Sequence, residues 1–539
     1  MDAAAAAAAK RVAIVGAGVS GLAACKHLLA RGFLPVVFEA GDGLGGAWRH
    51  ALPSTRLQTP ASSYRFSDFP WPPAVAEEVF PRHDQVVAYL AAYARRFGVL
   101  ERVRFGCEVI AAEYAGAAAE EQVAAWDRWA GNGEAFGDGP GEWVLTVQHR
   151  GSEATQVYRF DFMILCTGMY SGVPNIPTFP ANQGPEAFRG KVLHSTEYAA
   201  MGGAAAAELI RGKRVAVVGS GKSAYDTVAE CADPNAGAGG PPCTMVCRSP
   251  RWMVNGGFVW GGVSIGQLFM SRLAQLMVPH KPGEGIALRL LATLLSPLRW
   301  AITRVAEEYY TARIPMMREH GMVPRRSFAW AVSACRLGVL TERFYDRVAE
   351  GSIVIERARS VAFCSDGLVL DDGGGAGERV VEADVVVLAT GFRGADKLRG
   401  IFASPRFRSM VAAGPDNPAP LYRQCLHPRI PQVAVIGYSD SGSSMYHYEM
   451  VAKWVAHLLD GAVRLPAVAQ MERSVAEWGE YARTHGGGGR DGEGPCVSAA
   501  CTWFNDELCR DMGYNPRRKK GILAEWLEPY GPADYASIR

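Results

Sequence analysis

The sequence predicts an α/β fold with two parallel-sheet domains, and three observations lead to this expectation. A short apolar run followed by a glycine-rich turn and a helix-like segment occurs twice, near residue 12 and near residue 215. The 539 residues exceed the size at which one hydrophobic core stops growing. Residues 264–350 carry apolar side chains at helical spacing, which indicates a helical insertion in the second domain.

The first glycine-rich segment reads "RVAIVGAGVSGLAACKHLLARGFLPVVFEAG". The apolar run at 12–15 is typical of a buried parallel strand, and Gly16, Gly18 and Gly21 occupy the positions of a G-x-G-x-x-G turn. In that motif the glycines permit a tight turn, a close approach to a pyrophosphate and close packing of helix on strand. Glu39 ends the next strand, where an acid binds a ribose diol. The segment therefore predicts a Rossmann-like dinucleotide site.

The residues after Glu39 favour FAD as the first nucleotide. A carboxylate repels the 2′-phosphate of NADP, so FAD and NAD remain. The continuation "GDGLGGAWRH" contains Gly45, Gly46 and Trp48, which resemble the second glycine turn of two-domain flavoproteins. An ordinary glycine-rich surface loop is the alternative interpretation.

The second glycine-rich segment, "KRVAVVGSGKSAYDTVAEC", repeats the design. Residues 215–218 form the predicted strand, Gly219 and Gly221 are the first two glycines, and Ala224 replaces the third. Alanine at that position is compatible with the motif. The repeat predicts a second dinucleotide site.

The second site has a basic residue where the first has an acid. The strand "CTMVCRS" ends in Arg248, whose guanidinium is suited to hold a 2′-phosphate through two hydrogen bonds. Lys222 and Arg251 are lesser candidates for the same role, and Ser223 completes the predicted NADPH-binding set. An exposed charge at a strand end is the alternative for Arg248. We therefore expect FAD at the first loop and NADPH at the second.

Charge and cysteine content limit the other functions. The 56 Lys and Arg nearly balance the 54 Asp and Glu, so a nucleic-acid partner is not expected. The 12 cysteines include neither a C-x-x-C redox pair nor the spacing of a zinc clip. We expect reduced thiols, no metal site, and no disulfide reductase activity, which requires a cysteine pair near the flavin.

The sequence favours a cytoplasmic protein, with the periphery of the endoplasmic reticulum as the second option. The most apolar stretch, 285–302, is interrupted by Arg289, Pro297 and Arg299 and is not expected to span a membrane. The basic run 517–520 is interpreted as a solvated patch, and contact with a membrane surface is not expected. The helices of 264–350 are interpreted as a subdomain packed on the second domain, with a pocket cap or a membrane-facing surface as alternatives.

The stretch between the two loops identifies a family. Residues 188–198 read "FRGKVLHSTEY", and Phe188, Gly190, His194 and Tyr198 form the pattern F-x-G-x-x-x-H-x-x-x-Y. This pattern resembles the identifying motif of the flavin-containing monooxygenases. "YRFSDFPWP" (64–72), "CTGMYSGVPNIP" (166–177) and "LATGF" (388–392) resemble further segments of that family, the last two as strands or strand-turns. We expect Gly190 to permit a turn and His194 to lie near the nicotinamide or the interdomain linker.

The resemblance implies an NADPH-dependent, FAD-containing monooxygenase. In that family NADPH reduces FAD, the reduced flavin captures O2 as a C4a-(hydro)peroxide, and an amine nitrogen or thioether sulfur attacks the distal oxygen. Within the family the likeness is to the plant flavin-containing monooxygenase 1 group. This likeness implies a small amine or thioether as substrate and, most specifically, N-hydroxylation of pipecolate or a related amine in plant defence.

One departure from the family keeps other activities open. Many members have an Asn after the Thr of "L-x-T-N", whereas here Thr59 is followed by Pro60, which has neither an amide side chain nor a backbone N–H. Thr59 and His194 are therefore catalytic candidates only, with Ser62 and Ser63 as further options near the flavin. An NADPH oxidase that releases peroxide and a non-catalytic nucleotide sensor are the competing functions.

The predicted FAD domain is discontinuous. Residues 1–200 form its first segment, 201–385 form the NADPH domain with an insertion at about 260–350, and 386–539 form the returning segment with C-terminal helices. In the returning segment, Ser441, Ser443 and His447 either line the pocket or cap the helix predicted near Tyr446.

Overall fold

In a computed structural model, the chain is described over residues 10–539 apart from 77, 116–122, 124, 138–140, 238, 257, 260, 261, 374–377, 412–419 and 486–495. The described strands, in chain order, are β1 (Val12–Val15), β2 (Val36–Phe38), β3 (Val103–Arg104), β4 (Cys107–Ala115), β5 (Glu142–His149), β6 (Thr155–Phe160), β7 (Phe162–Leu165), β8 (Lys191–His194), β9 (Val215–Val218), β10 (Cys243–Cys247), β11 (Met253–Val254), β12 (Phe258–Val259), β13 (Val263–Ser264), β14 (Gly338–Val339), β15 (Ile353–Arg357), β16 (Ser360–Cys364), β17 (Gly367–Asp371), β18 (Arg379–Glu382), β19 (Val385–Leu388) and β20 (Val433–Val435).

The described helices, in chain order, are α1 (Val19–Leu29), α2 (Pro73–Ala76), α3 (His83–Arg96), α4 (Ser195–Ala200), α5 (Gly203–Ile210), α6 (Lys222–Ala232), α7 (Ile265–Phe269), α8 (Arg272–Leu276), α9 (Ile286–Leu294), α10 (Ser296–Arg313), α11 (Met316–Glu319), α12 (Phe328–Ser333), α13 (Phe344–Ala349), α14 (Gly394–Ile401), α15 (Pro405–Met410), α16 (Ser444–Leu459), α17 (Val468–His485), α18 (Cys501–Asp511) and α19 (Ile522–Leu527).

The first parallel sheet has the order β20-β7-β1-β2-β3. All four residues of β1 and of β7 are buried, as expected for strands covered on both faces. The chain leaves this sheet after β7 and returns to it only at β20, which pairs with β7 in parallel. The first domain is therefore built from two separate parts of the chain, as the sequence predicts.

The second parallel sheet has the order β15-β10-β9-β19-β8. Its strands run from β8 to β19, so the sheet begins before the predicted boundary at residue 200 and ends after the one at 385. Helices α7 to α13 occupy most of 264–350, as the helical spacing predicts. The prediction of a two-domain α/β fold with a helical insertion is thus confirmed.

Two local predictions are wrong. Residues 166–177 contain no strand: β7 ends at Leu165, and the following residues form bends and irregular backbone. Cysteines are not all reduced, because Cys335 and Cys496 form a disulfide with a Cα–Cα distance of 5.7 Å. Their separation of 161 residues explains why no short Cys spacing indicated the pair. The bond joins the end of α12 in the insertion to the C-terminal part of the chain.

Candidate active site

The first glycine-rich turn is shaped by close contacts that side chains would obstruct. Gly16 has φ +105°, and a Cβ on it would lie 2.5 Å from the carbonyl oxygen of Cys166. A Cβ on Gly21 would lie 1.9 Å from the carbonyl oxygen of Gly16, so α1 packs against the turn only because Gly21 has no side chain. Gly18 differs, since its Cβ would meet nothing nearer than Gly46 Cα at 3.6 Å. Gly18 therefore leaves a space open to the cavity.

Glu39 is held at the end of β2 by two backbone amides. Its Oε2 accepts a hydrogen bond from Ala17 N at 2.8 Å, and its Oε1 accepts one from Gly41 N at 2.8 Å. The half-buried carboxylate lines the same cavity as the glycine turn. This is the position from which an acid binds a ribose diol, and the bonds fix its orientation.

The second predicted glycine turn contributes another wall of the first site. Gly45 and Gly46 both have positive φ, +123° and +57°, so the turn requires residues that tolerate a left-handed backbone. Trp48 follows in a short 3₁₀ helix, and its Nε1 donates to the Tyr64 hydroxyl at 3.1 Å. Gly46 and Trp48 line the cavity, as an FAD-contacting turn would.

The second glycine-rich turn repeats the close packing. Gly219 has φ +154°, and a Cβ on it would lie 2.4 Å from the Ala389 carbonyl oxygen and 3.1 Å from Ala224 Cβ. Ala224 stands at the third glycine position of the motif, and its side chain fits because the residue facing it, Gly219, has none. Gly221 caps the N-terminus of α6. A Cβ built on Gly221 would lie 3.7 Å from Cζ of Arg251.

The charged candidates for NADPH occupy different environments. Lys222 Nζ lies 2.7 Å from Oδ1 of the buried Asp226 and 3.1 Å from Thr341 Oγ1, so its charge is already neutralised within the protein. Arg248 is exposed at the end of β10 and lines the cavity, and Ser223 is also exposed there. Arg248 is therefore better placed than Lys222 to meet a 2′-phosphate, although the ligand contacts of this set stay predictions.

Both glycine turns open onto a continuous cavity of about 3180 Å³. Between them, two loops of the first domain meet: Thr59 Oγ1 donates to the Gly442 carbonyl oxygen at 2.9 Å. Ser443 Oγ hydrogen-bonds the Ser63 carbonyl oxygen rather than capping α16. Two dinucleotides bound at the two turns would share one chamber, and these loops form its wall.

The returning loop places a carboxylate in this chamber. Asp440 lines the cavity and accepts hydrogen bonds from the Tyr170 hydroxyl at 2.6 Å, from Ser444 Oγ at 2.9 Å and from Ser441 N at 2.9 Å. Val497 N donates to the Asp440 carbonyl oxygen at 2.9 Å, which ties the loop to the C-terminal segment. Ser441 and Ser443 beside it were candidates from the sequence, but no sequence pattern indicated Asp440 itself.

His447 is not part of the chamber. It is fully buried, its Nε2 lies 2.8 Å from Ser439 Oγ, and burial lowers its pKa to about 3. Of the three residues predicted to line the pocket or cap the helix, Ser441 and Ser443 line the cavity. His447 has a structural position within α16.

The 188–198 motif builds the junction between the domains. Phe188 and Tyr198 are buried, and Gly190 approaches the chain so closely that a Cβ would lie 2.4 Å from the Asp384 carbonyl oxygen. The chain bends at Arg189 and Gly190, but Gly190 does not have positive φ, so close packing is what requires a glycine there. His194 Nδ1 accepts from Thr196 N at 3.3 Å, so Nε2 donates to the Gly391 carbonyl oxygen at 3.1 Å.

His194 thus lies against the linker at Gly391, one of its two predicted places, and not in the cavity wall. Burial lowers the pKa of His194, in keeping with a neutral ring that both donates and accepts. Thr59, the other catalytic candidate, does line the cavity. The structure therefore favours Thr59 over His194 for contact with bound ligands.

Comparison with known proteins identifies the family. The model of the family described as "Flavin-binding monooxygenase-like" matches residues 9–284. A protein of Arabidopsis thaliana named "Probable flavin-containing monooxygenase 1" is 36% identical over 529 residues, covering 97% of this chain and 96% of the relative. The chain belongs to the flavin-binding monooxygenase-like family. It is an NADPH-dependent flavin monooxygenase, and its cofactors are FAD and NADPH.

A more distant relative resembles the chain in sequence, and solved oxygenase structures resemble it in fold. "Dimethylaniline monooxygenase (N-oxide-forming) 2" of Rattus norvegicus is 25% identical, with 87% of this chain and 77% of the relative covered. The S-allyl-L-cysteine S-oxygenase of Allium sativum matches with a TM-score of 0.57 at 16% identity, covering 94% and 89% of the two chains. The NADP+-bound cyclohexanone monooxygenase of Rhodococcus sp. Phi1 matches with a TM-score of 0.63 at 18% identity, covering 93% and 97%.

The residues present fit the two cofactors of this flavin monooxygenase. The open space at Gly18, the N-terminus of α1 and the fixed carboxylate of Glu39 suit the pyrophosphate and ribose of FAD. Gly221 at the N-terminus of α6 and the exposed Arg248 suit the phosphates of NADPH. When bound, the flavin supplies the redox and oxygen chemistry, and the protein supplies orientation and exclusion of water.

Proposed function

We propose that this monooxygenase transfers one oxygen atom from O2 to a nucleophilic nitrogen of a small amine, with a thioether sulfur as a poorer target. Pipecolate and related cyclic amines are the first substrates to test. Named relatives act on both elements: one is called N-oxide-forming, and one solved structure is an S-oxygenase. The choice of nitrogen rests on a property of this chain's own cavity.

Asp440 is the observation that carries the proposal. Its carboxylate is half-buried in the cavity wall, on a loop whose Gly442 bonds Thr59. A carboxylate there attracts an ammonium group, whereas a neutral thioether gains nothing from it. The Tyr170 hydroxyl donates to the same carboxylate, which holds its orientation.

The protein's part in the reaction follows from these contacts. Asp440 binds the amine as its ammonium ion and accepts a hydrogen bond from it. The nitrogen attacks only as the free base, so the bound ammonium must first lose its proton to solvent. The hydroxyls of Tyr170 and Ser444 donate to the carboxylate and hold it in place. The walls around Thr59 and Gly442 then limit access of water.

Asp440→Asn tests this function, because the amide keeps the shape and removes the charge. One lost charge-assisted hydrogen bond at a partly exposed site corresponds to about a tenfold rise in KM for an amine. A thioether of similar size should keep its KM, which provides the matched control within one variant. Equal effects on both substrates would show that Asp440 does not select nitrogen.

A second candidate function is an NADPH oxidase, and Pro60 favours it. Pro60 stands where many family members have the side-chain amide of an asparagine. Its carbonyl oxygen already accepts hydrogen bonds from Ser63 N and Tyr64 N, both at 2.9 Å. Without the amide, reduced flavin and O2 would yield free peroxide. Peroxide released per NADPH consumed, measured with and without amine, separates the functions: a ratio near one under all conditions identifies the oxidase.

A further inference from the structure

Helix α9 and the start of α10 present an apolar surface that the rest of the described chain does not cover. Of the nine residues of α9, a fully described helix, only Ala292 is buried. Ile286 and Leu294 are each 78% exposed, and Trp300 is 63% exposed. We call this surface the leucine face, and its exposed members are Ile286, Leu290, Leu291, Leu294, Leu298 and Trp300.

A second exposed apolar helix lies nearby. In α19, Ile522 and Leu523 are 79% and 75% exposed, and Leu527 is exposed as well. Helix α8 packs against both α9 and α19, and its own Leu273 is exposed. The leucine face therefore continues across α8 to α19. Isolated exposed leucines are ordinary on a protein surface, but a contiguous group of this size marks a contact surface.

Positive charge predominates around the leucine face, and the exposed Glu528 that follows α19 lies 3.6 Å from Lys519. Residues 285–306 contain Arg289, Arg299 and Arg304 and no acidic residue, and 517–520 are all basic. Arg289, Arg517 and Lys520 are exposed. Two arginines lie over tryptophan rings. Cζ of Arg304 is 5.8 Å from the ring centroid of Trp300, and Cζ of Arg517 is 5.4 Å from that of Trp526. Apolar side chains with a rim of Trp and Arg match the boundary between lipid headgroups and acyl chains.

The dimensions favour lying on a membrane over crossing it. Among the described residues no single helix has the length and apolar character to span a bilayer; α9 and α10 meet that test only as a pair bent by 48°. Alone, α9 is about half as long as the hydrocarbon core is thick. A second copy of the chain fits the face poorly, because two-fold symmetry would set the basic rim against itself.

We propose that the leucine face docks on an anionic membrane surface, inserting α9, the start of α10 and α19 into the headgroup region. The face adjoins the active-site cavity: Ile265, Gly266 and Met270 precede α8, Pro529 follows α19, and all four line the cavity. Docking therefore brings one wall of the cavity next to lipid. The proposal goes beyond the oxygenation chemistry and does not depend on the substrate's identity.

Vesicle flotation of the full-length holoenzyme tests the docking. We expect flotation with phosphatidylcholine vesicles containing about one third phosphatidylserine, weaker flotation with phosphatidylcholine alone, and partial loss in high salt. Leu290→Ser combined with Leu294→Ser should lower the partition coefficient at least about tenfold, since each leucine loses most of its transfer free energy. Arg289→Gln combined with Lys520→Gln should weaken flotation only with the anionic vesicles.

A matched control uses exposed apolar side chains far from the face in sequence. Val157 and Val380, on β6 and β18, are 61% and 59% exposed, and changing both to Ser should leave flotation unchanged. Thermal melting confirms that each variant is folded. Failure of the unchanged protein to float, or equal flotation of the leucine variant, would overturn the proposal. A dimer in sedimentation velocity that the leucine variant disrupts, without flotation, would assign the face to a second copy.

Discussion

Replacing Gly18 by valine separates a cofactor cradle from a structural glycine. Gly18 has φ −83° and ψ −170°, a backbone that valine adopts readily, and a Cβ built on it would meet only backbone atoms of Gly46, the nearer at 3.6 Å. The protein itself therefore tolerates the side chain. Gly21→Ala is the contrasting change, because its Cβ would lie 1.9 Å from the Gly16 carbonyl oxygen and force α1 away from the turn.

Gly18→Val is expected to weaken binding of the dinucleotide rather than folding of the protein. The N-terminus of α1 offers backbone N–H groups that have no partner within the helix, and these groups bind a pyrophosphate. A branched side chain at Gly18 holds the phosphates away from them. Losing one or two charge-assisted hydrogen bonds costs about 2–4 kcal/mol, which raises the Kd for FAD roughly 30- to 1000-fold.

Flavin absorbance and calorimetric titration of the apoprotein with FAD measure this change. We expect Gly18→Val to purify colourless, with an apoprotein melting temperature close to that of unchanged apoprotein. Gly21→Ala should melt at a lower temperature even without flavin, because overpacking lowers the free energy of unfolding by about 1–3 kcal/mol. Full flavin occupancy and unchanged affinity in Gly18→Val would refute the assignment of this turn to the pyrophosphate.

Three further predictions follow from the second site, the disulfide and a buried histidine. Arg248→Ala should raise the Kd for NADPH about 10- to 100-fold and leave the Kd for NADH nearly unchanged, as measured by the concentration dependence of flavin reduction. An equal rise for both nucleotides would show that another residue binds the 2′-phosphate. Non-reducing peptide mapping should recover Cys335 joined to Cys496, and Cys335→Ser should lower the free energy of unfolding by about 2–5 kcal/mol in denaturant titrations. His447 has a folded pKa of about 3 because it is buried, so the unfolded chain binds its proton first as pH falls below 6.5. Stability should therefore drop by up to about 1.4 kcal/mol per pH unit below that point, and His447→Gln should reduce the slope.

Local patterns carried most of what the sequence predicted correctly. Gly16, Gly18 and Gly21 form one local turn between β1 and α1, so the motif is visible in the sequence itself, although Gly16 also packs against the distant Cys166. Asp440 was missed because its importance comes from a loop that returns to the cavity nearly four hundred residues after Thr59. The disulfide was missed for the same reason, since its partners lie in different domains. The bend at Gly190 could be expected from the sequence, but its close contact with the Asp384 carbonyl oxygen could not, because that contact joins distant parts of the chain.

The split first sheet has a consequence for the order in which the chain folds during synthesis. Gln432 Nε2 donates to the Asp161 carbonyl oxygen across a separation of 271 residues, at the junction of β20 and β7. At ordinary translation rates the ribosome needs roughly 15 to 55 seconds to produce that intervening chain. During this time β7 presents an unpaired edge, while the strands of the second sheet, from β8 to β19, are made without interruption. We therefore expect the second sheet to be complete before the first, with the edge of β7 unpaired until β20 emerges.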